Sequence, residues 1–398
     1  MHVVRELIEQ SGIDEKKIDH VIFGCGGPPA DAPNIARNAS LQAKIPLSVP
    51  AYTVQRNCAS GLQSISDACM LIETGRANVV IAGGVESMSN IPFFYPKRFQ
   101  DNLFRLMRAK GIRKKLKSLL SFRPKDFKPQ IGVEIGLTDS YCGLNMGDTA
   151  EILAKTYNIS RKDQDTYALS SHQRTTKAWN EARFNNEVMT IYNPSGIPPI
   201  IERDNGHRPD QSLKDLSKLR PYFDRTYGTV TPGNSSQITD GSSALLMMDA
   251  QYATTEGFSI KAFVRSWAYN GCNPEVMGLG PAFSTPIALD LAGLTLKNIG
   301  LIELNEAFAA QVIANEIVFS SKRFAQQHLG LGKAIGEIDR DIMNVNGGAI
   351  AIGHPVGASG NRIVLTLMKE MQQRDTQFGL ATLCIGGGQG GAMILERK

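Results

Sequence analysis

Short apolar runs alternate with amphipathic stretches along most of this chain, and the alternation predicts its elements. Met1–Glu9 reads as a short amphipathic helix, followed by a polar turn that starts at Gly12. His20–Gly24 reads as a strand, and residues 33–48 as a helix with Ile35 and Ala36 facing inward. Val49–Val54 is apolar and β-branched, as a buried strand should be. Leu62, Ile65, Cys69 and Ile72 then recur at helical spacing as far as Gly75, and Asn78–Gly84 is a further buried strand closing on a glycine pair. Apolar strands that alternate with helices predict a parallel sheet covered on both faces.

The pattern changes at Pro92. Leu103, Leu106, Met107, Ile112, Leu116, Leu119 and Leu120 keep helical spacing with bases between them, and Gly111 divides the stretch into two short helices. Residues 145–185 read as helices, with Asp148 or Thr149 capping the first and Ser160 the second. Residues 192–222, rich in Pro, Asp and Gly, read as loops, and Ala244–Met248 as a strand. From Leu301 the plan of the first part returns. A short apolar segment runs into a helix after Phe308. A glycine-rich loop, Asn344–Gly360, precedes a helix at 358–372, and a strand ends at Cys384. Two similar α/β halves are therefore expected.

Composition narrows the class. With 398 residues, 42% hydrophobic and 20% charged, the chain describes a globular protein with a large core. Six cysteines lie far apart without CxxC spacing, which speaks against a disulfide framework or a zinc site and for a reducing, cytoplasmic setting. The first residues do not read as a signal or transit peptide, and no apolar run reaches the ~20 residues that a membrane span needs. The net charge of +5 hides an asymmetry, because Lys97–Lys128 alone holds twelve Lys/Arg against two Asp/Glu. An apolar stripe with a basic face suits an anionic membrane surface. It equally suits a helical hairpin packed on its own protein, or one lining a site for a polyanion such as CoA. No recognition motif accompanies the charge, so nucleic acid is not the expected partner.

Candidate chemistry sits in the glycine-rich loops. Cys58 falls between a strand and a helix start, where free backbone N–H groups and the helix dipole favour a thiolate. A lone cysteine of this kind is more often a small core residue, and a lone histidine such as His354 a satisfied one. Together, Cys58, His354 and Cys384 form a candidate nucleophilic site: a thiol, a base, and a second thiol able to carry a proton.

The residues resemble a known family. Asn57-Cys58-Ala59-Ser60-Gly61, Asn305-Glu306-Ala307-Phe308, Gly353-His354-Pro355-Val356-Gly357 and the run Cys384–Gly390 are similar, in order, to the four active-site motifs of thiolases. Gly228–Thr231, Gly233–Gly241 and Met277–Pro281 match as well, so the resemblance covers nearly the whole chain. It implies a five-layer αβαβα fold of duplicated halves with an inserted helical loop domain. Residues 1–92 with 223–249 would form the first half, 93–222 the loop domain, and 250–398 the second half.

The same resemblance implies a covalent mechanism. Cys58 becomes acylated, His354 takes its proton, and Cys384 is the second acid/base. Asn305 holds a water that, with His354, stabilises an enolate oxygen, and the N–H groups of Cys58 and Gly386 form another oxyanion site. Ser236 and Arg220 would contact CoA, while Met146, Met277 and Phe308 would line the acyl or pantetheine pocket; for the two methionines core packing is an equal alternative. CoA enters as substrate, with no bound cofactor or metal. The long basic insertion is similar to thiolase subunits of trifunctional β-oxidation complexes. That implies medium- to long-chain 3-ketoacyl-CoA substrates, a hydratase/dehydrogenase partner and peripheral membrane contact, on a homodimer or homotetramer. The alternatives are a biosynthetic acetoacetyl-CoA thiolase and a weakly active CoA- or lipid-binding protein of the same fold.

Two positions depart from the family. Thiolases open with a strand and an Arg-Thr-Pro-like motif, whereas this sequence opens within the helix that follows. A strand lying inside the first sheet is therefore expected to be wanting, leaving apolar surface and backbone uncovered. Short-chain biosynthetic members commonly carry His just before Met146-Gly147, where this chain has Asn145.

Overall fold

A computed structural model describes residues 1–398 except 194, 195 and 197. Helix α1 (His2–Ser11) buries Val4 and Ile8 and stops at Gly12 in a left-handed conformation. Strand β1 (His20–Gly24), helix α2 (Ile35–Gln42), strand β2 (Ala51–Val54), helix α3 (Ser60–Glu73) and strand β3 (Val79–Ser87) follow. The inserted region carries α4 (Lys97–Arg108), α5 (Ile112–Leu119), α6 (Met146–Thr156) and α7 (Arg161–Asn180), and β4 (Asp240–Met248) returns to the first sheet. The second half runs β5 (Phe263–Gly271), α8 (Gly280–Ala292), β6 (Leu301–Leu304), α9 (Ala309–Phe319), α10 (Val356–Gln373), β7 (Phe378–Ile385) and β8 (Gln389–Glu396).

The first sheet has the order β2-β1-β3-β4, parallel except for β4; the second has the order β6-β7-β8-β5, in which β8 is antiparallel to both neighbours. Helices α3 and α10 lie between the sheets, α1 and α2 cover the outer face of the first, and α8 and α9 lie outside the second. The layers are therefore α, β, α, β, α. The two inner helices meet almost backbone to backbone. A Cβ on Gly61 would lie 2.7 Å from Asn361 N, and one on Gly360 would lie 2.5 Å from Leu62 N. Only glycine permits that approach.

Several expectations need correction. The second helix is Ile35–Gln42 rather than 33–48, and the strand before Cys58 begins at Ala51. Helix α6 is capped by Asn145, not by Asp148 or Thr149. Asn145 Oδ1 accepts from Gly147 N at 3.1 Å, and Asp148 closes the capping box by accepting Asn145 N–H at 2.9 Å. The stretch 192–222 is not all loop: Ile191–Tyr192 pairs with Ile200–Ile201, and Leu213–Ser217 is helical, while 194, 195 and 197 lie outside the described residues. Strand β4 begins at Asp240 rather than Ala244, a start hidden by its Gly and Ser content.

The uncovered position in the first sheet is at its edge rather than inside it. In the second sheet β8 is flanked by β7 and β5, and six consecutive residues, Gly390–Leu395, are buried. In the first sheet β4 pairs with β3 alone among the described residues, and only Ser243 and Leu245 of its nine residues are buried.

Candidate active site

Cys58 lies in the turn between β2 and α3, two residues ahead of the first helical residue. Asn57 before it has φ +45°, a conformation asparagine tolerates better than most side chains, and its Nδ2 donates to Gly386 O at 2.7 Å. That bond ties the cysteine turn to the loop between β7 and β8. Burial pushes the Cys58 thiol up, opposed by the backbone N–H groups of Gly386 and of Cys58 itself, which favour the thiolate. Cys384, near the end of β7, is fully buried and its thiol lies well above the usual range. Burial is the larger cause, and the charge of Cys58 is the next. The charge of one thiol thus bears on the other, and the Gly386 N–H bears on Cys58.

The base side is built on β6 and on the loop before α10. Asn305 directly follows β6, and its N–H donates to Thr382 O of β7 at 3.0 Å. Its Nδ2 lies 3.5 Å from His354 Nε2, and its buried Oδ1 has no partner among the described residues. His354 Nδ1 lies 2.6 Å from Ser359 Oγ, and Ser359 in turn donates to Pro355 O. A serine hydroxyl has one proton, so this arrangement places the imidazole proton on Nδ1 and leaves Nε2 as the basic nitrogen. Burial and then the nearby Arg362 guanidinium lower the His354 pKa to about 4, so the ring is neutral at pH 7. A neutral imidazole with a free Nε2 can accept a thiol proton.

Two buried carboxylates that the sequence reading did not single out hold these loops. Glu86 on β3 accepts from Gly26 N, Gly27 N and Gly357 N at 2.8, 3.0 and 2.9 Å, clamping the His354 loop to the first sheet. Glu306 accepts from Tyr167 Oη, Ser171 Oγ, Asn344 Nδ2 and Ile350 N, clamping the same loop from the other side. Thr239 adds a third tie by accepting His354 N–H at 3.1 Å. A signal did exist: each carboxylate interrupts an otherwise apolar or glycine-rich run, and a buried charge needs several donors.

The remaining predicted residues fall in three groups. Met146 reaches the site, since a Cβ on Gly386 would lie 3.3 Å from its sulfur. Ser236 is near it: its N–H donates to Ala307 O at 2.9 Å, two residues from Asn305. Met277 and Phe308 are buried in the core of the second half, Phe308 edge-on to Phe223 at 6.2 Å. Arg220 is exposed, and no ion pair or hydrogen bond of its side chain joins it to the site among the described residues.

The profile described as "Thiolase, N-terminal domain" matches residues 1–251, and "Thiolase, C-terminal domain" matches residues 258–397. The chain belongs to the thiolase family. A 3-ketoacyl-CoA thiolase of Pseudoalteromonas translucida is 42% identical to this thiolase over 398 residues, covering 99% of this chain and 90% of the relative. Human mitochondrial 3-ketoacyl-CoA thiolase in complex with CoA superposes with a TM-score of 0.85 at 34% identity, covering 100% of this chain and 90% of that one. The acetyl-CoA acetyltransferase of Bacillus anthracis superposes with a TM-score of 0.84 at 32% identity, covering 99% and 91%.

Proposed function

We propose that this thiolase cleaves 3-ketoacyl-CoA with CoA, releasing acetyl-CoA and an acyl-CoA two carbons shorter, as in fatty acid β-oxidation. The observation that carries the reading is the convergence of two thiols, a neutral imidazole and backbone N–H donors on loops from both halves. In this mechanism His354 Nε2 takes the Cys58 proton and the thiolate attacks the 3-keto carbon, whose oxygen is met by the N–H groups of Cys58 and Gly386. The bond between the α- and β-carbons then breaks. Its electron pair passes to the acetyl-CoA enolate, stabilised by His354 and the water held by Asn305, and Cys384 protonates the α-carbon. CoA enters next, loses its thiol proton to the Cys384 thiolate, and displaces the acyl group from Cys58, whose thiolate takes its proton back from His354. Both cysteine protons are thereby restored.

CoA is the substrate here and no resident cofactor is needed. Met146 belongs at the wall of the reacting pocket, Ser236 at the CoA channel, and Arg220 serves as an outer contact for CoA phosphates. Met277 and Phe308 support the acyl pocket from behind. The partition into 1–92 with 223–249, 93–222 and 250–398 is part of the same reading.

The region Lys97–Lys128 supports long-chain substrates at a membrane surface. Its helices are held together by Arg98 on Asp126 and by Phe99 packed between Tyr95, Phe122 and Phe127. The apolar stripe meanwhile points away from the protein, with Ile112 84% and Leu120 77% exposed. No helix among the described residues is long and apolar enough to cross a membrane, so the contact is a surface one. A homo-oligomer and a hydratase/dehydrogenase partner subunit complete the proposal.

The test is CoA-dependent thiolysis of acetoacetyl-CoA against a long-chain 3-ketoacyl-CoA. A higher kcat/KM on the long chain is expected. Preference for acetoacetyl-CoA would move the assignment to a biosynthetic acetoacetyl-CoA thiolase, a reading that the Bacillus anthracis likeness favours and Asn145 disfavours. Folded protein inactive on both would leave a CoA- or lipid-binding role.

A further inference from the structure

Arg56 stands two residues before Cys58, and the chemistry above does not use it. Its guanidinium is nevertheless engaged on three sides. Nε donates to Gln63 Oε1 of α3 at 2.7 Å, and Nη1 donates to Gln389 Oε1 at the start of β8 at 3.1 Å. Its Cζ lies over the ring of Tyr269 on β5, 4.2 Å from the centroid. These partners are fixed in turn. Tyr269 Oη lies 3.0 Å from Ser66 Oγ of α3, and Gln63 Nε2 donates to Asp67 one turn further along that helix. A guanidinium that meets two amide oxygens and an aromatic face at once is a bracket rather than a solvated surface charge.

The bracket joins two loops of the site. The turn that carries Cys58 is bonded within itself. Arg56 N–H donates to Ser60 Oγ at 2.9 Å, Ala59 N–H to Arg56 O at 3.0 Å, and Ser60 N–H to Asn57 O at 3.0 Å, so the turn moves as one body. Asn57 ties that body to Gly386 O, and Arg56 ties it to Gln389, three residues along the same loop. Between those points Gly387 and Gly388 have φ +90° and +76°, and Gly388 O accepts Cys272 N–H at 2.7 Å, which fixes the loop to the end of β5. A single tie sets a distance and leaves a pivot; two ties set an orientation. We propose that Arg56 is a positioning residue, which braces the Cys58 turn against Gln389 and Tyr269 of the second half and so holds the Cys58 sulfur to the Gly386 N–H.

That N–H favours the Cys58 thiolate against the effect of burial. Glu86 of β3 raises the Cys58 pKa, Cys384 of β7 feels its charge, and His354 is its proposed base, but none of the three is hydrogen-bonded to Arg56 among the described residues. Loss of Arg56 therefore acts on the thiol through the placing of the turn. In the proposed thiolysis the same N–H also meets the 3-keto oxygen, so the kinetic part of this inference rests on that reading, whereas the thiol part does not.

The test is alkylation of the full chain by iodoacetamide across pH, read at the Cys58 peptide by mass spectrometry, alongside thiolysis of acetoacetyl-CoA. Arg56→Ala should move the Cys58 alkylation profile to higher pH and slow alkylation at neutral pH about tenfold. It should lower kcat about 10- to 100-fold while KM stays within about twofold. Arg56→Lys keeps the charge but can meet only one of the two amides, and should fall between. Gln389→Ala should move the profile the same way by less, and should add nothing once Arg56 is Ala. An alkylation profile unchanged in Arg56→Ala would overturn the proposal even if the melting temperature fell, and so would full additivity of the two substitutions. If Arg56→Ala fails to fold, an unchanged profile in Gln389→Ala overturns it. Wild type alkylated at Cys58 but inactive on 3-ketoacyl-CoA would count against the thiolysis reading alone, and the shifted profile of Arg56→Ala would still carry this inference.

Discussion

The two halves share one plan and differ at one edge. In the second half β8 is enclosed by strands on both sides and buries Gly390–Leu395 without a break; in the first, β4 carries a similar apolar run, Ala244–Met248, yet buries only Leu245 of it. The chemistry divides along the same line. In the proposed mechanism the enclosed half contributes His354, Cys384, Asn305 and Gly386, whose mutual spacing would decide where protons and oxyanions go. The open half contributes Cys58, its sulfur and its N–H, on a turn held to the other half by Asn57. Cys58 is thus anchored across the interface by the bond from Asn57 to Gly386.

The largest expected effect tests the division of labour. Cys58→Ala should lower thiolysis by about 10⁴-fold or more while CoA binding persists, because the remaining groups sit on the other half. Normal turnover in that variant would remove Cys58 from the mechanism. The next test concerns the edge. Met393 on β8 is fully buried, whereas Met247 on β4 is half-buried. Met393→Ala should cost about 2–5 kcal/mol and Met247→Ala less than half as much, read from paired melting curves. Equal losses would mean that the two edges are equally covered in solution.

A third test is the pH dependence of stability. His354 has a folded pKa of about 4 against an ordinary value of 6.5. The unfolded chain therefore binds the extra proton first, and stability falls as pH drops from about 6.5 to about 4. The full loss for this one group is about 3 kcal/mol. His172 is lowered in the same sense, by burial and then the charge of Arg208, so the difference between wild type and His354→Asn isolates the His354 share. An unchanged pH slope in that variant would contradict a buried neutral imidazole. The smallest effect concerns the periphery. Replacing the lysines of Lys97–Lys128 by Gln should weaken binding to anionic liposomes, by about 1 kcal/mol for each base near the surface, without altering thiolysis of a soluble acetoacetyl-CoA. Undiminished liposome binding would assign the exposed stripe another role.

Sequence reading picked out the family, the fold and the loops that the structure brings together, because those loops advertise themselves. Cys58, His354 and Cys384 each sit among glycines beside apolar runs, and the duplicated order of strand, loop and helix is visible in the pattern. It missed what depends on pairing at long range. Glu86 meets Gly357 across 271 residues, and Glu306 meets Ser171 across 135, so neither contact has a local signature. Ser359 lies in a helix where serine usually bonds its own backbone, and its second role appears only once the ring of His354 is placed. The cap at Asn145 was displaced because Asp148, its reciprocal partner, is itself a good capping residue. The sequence placed the open position inside the first sheet; that it lies at the edge beside β4 could not be read, since strand order is a property of the assembled sheet.

The glycine contacts between α3 and α10 carry a consequence for behaviour under heat. Where Gly61 and Gly360 let two helices touch without intervening side chains, no rotamer remains to loosen gradually as temperature rises. The turn of Cys58 and the loop of His354 are then carried on helices in direct backbone contact, with the side chains of Asn57, Glu86 and Ser359 fixing the loops on them. Turnover should accordingly climb with temperature up to the cooperative melt and stop there, with no range in which the enzyme is folded but slack.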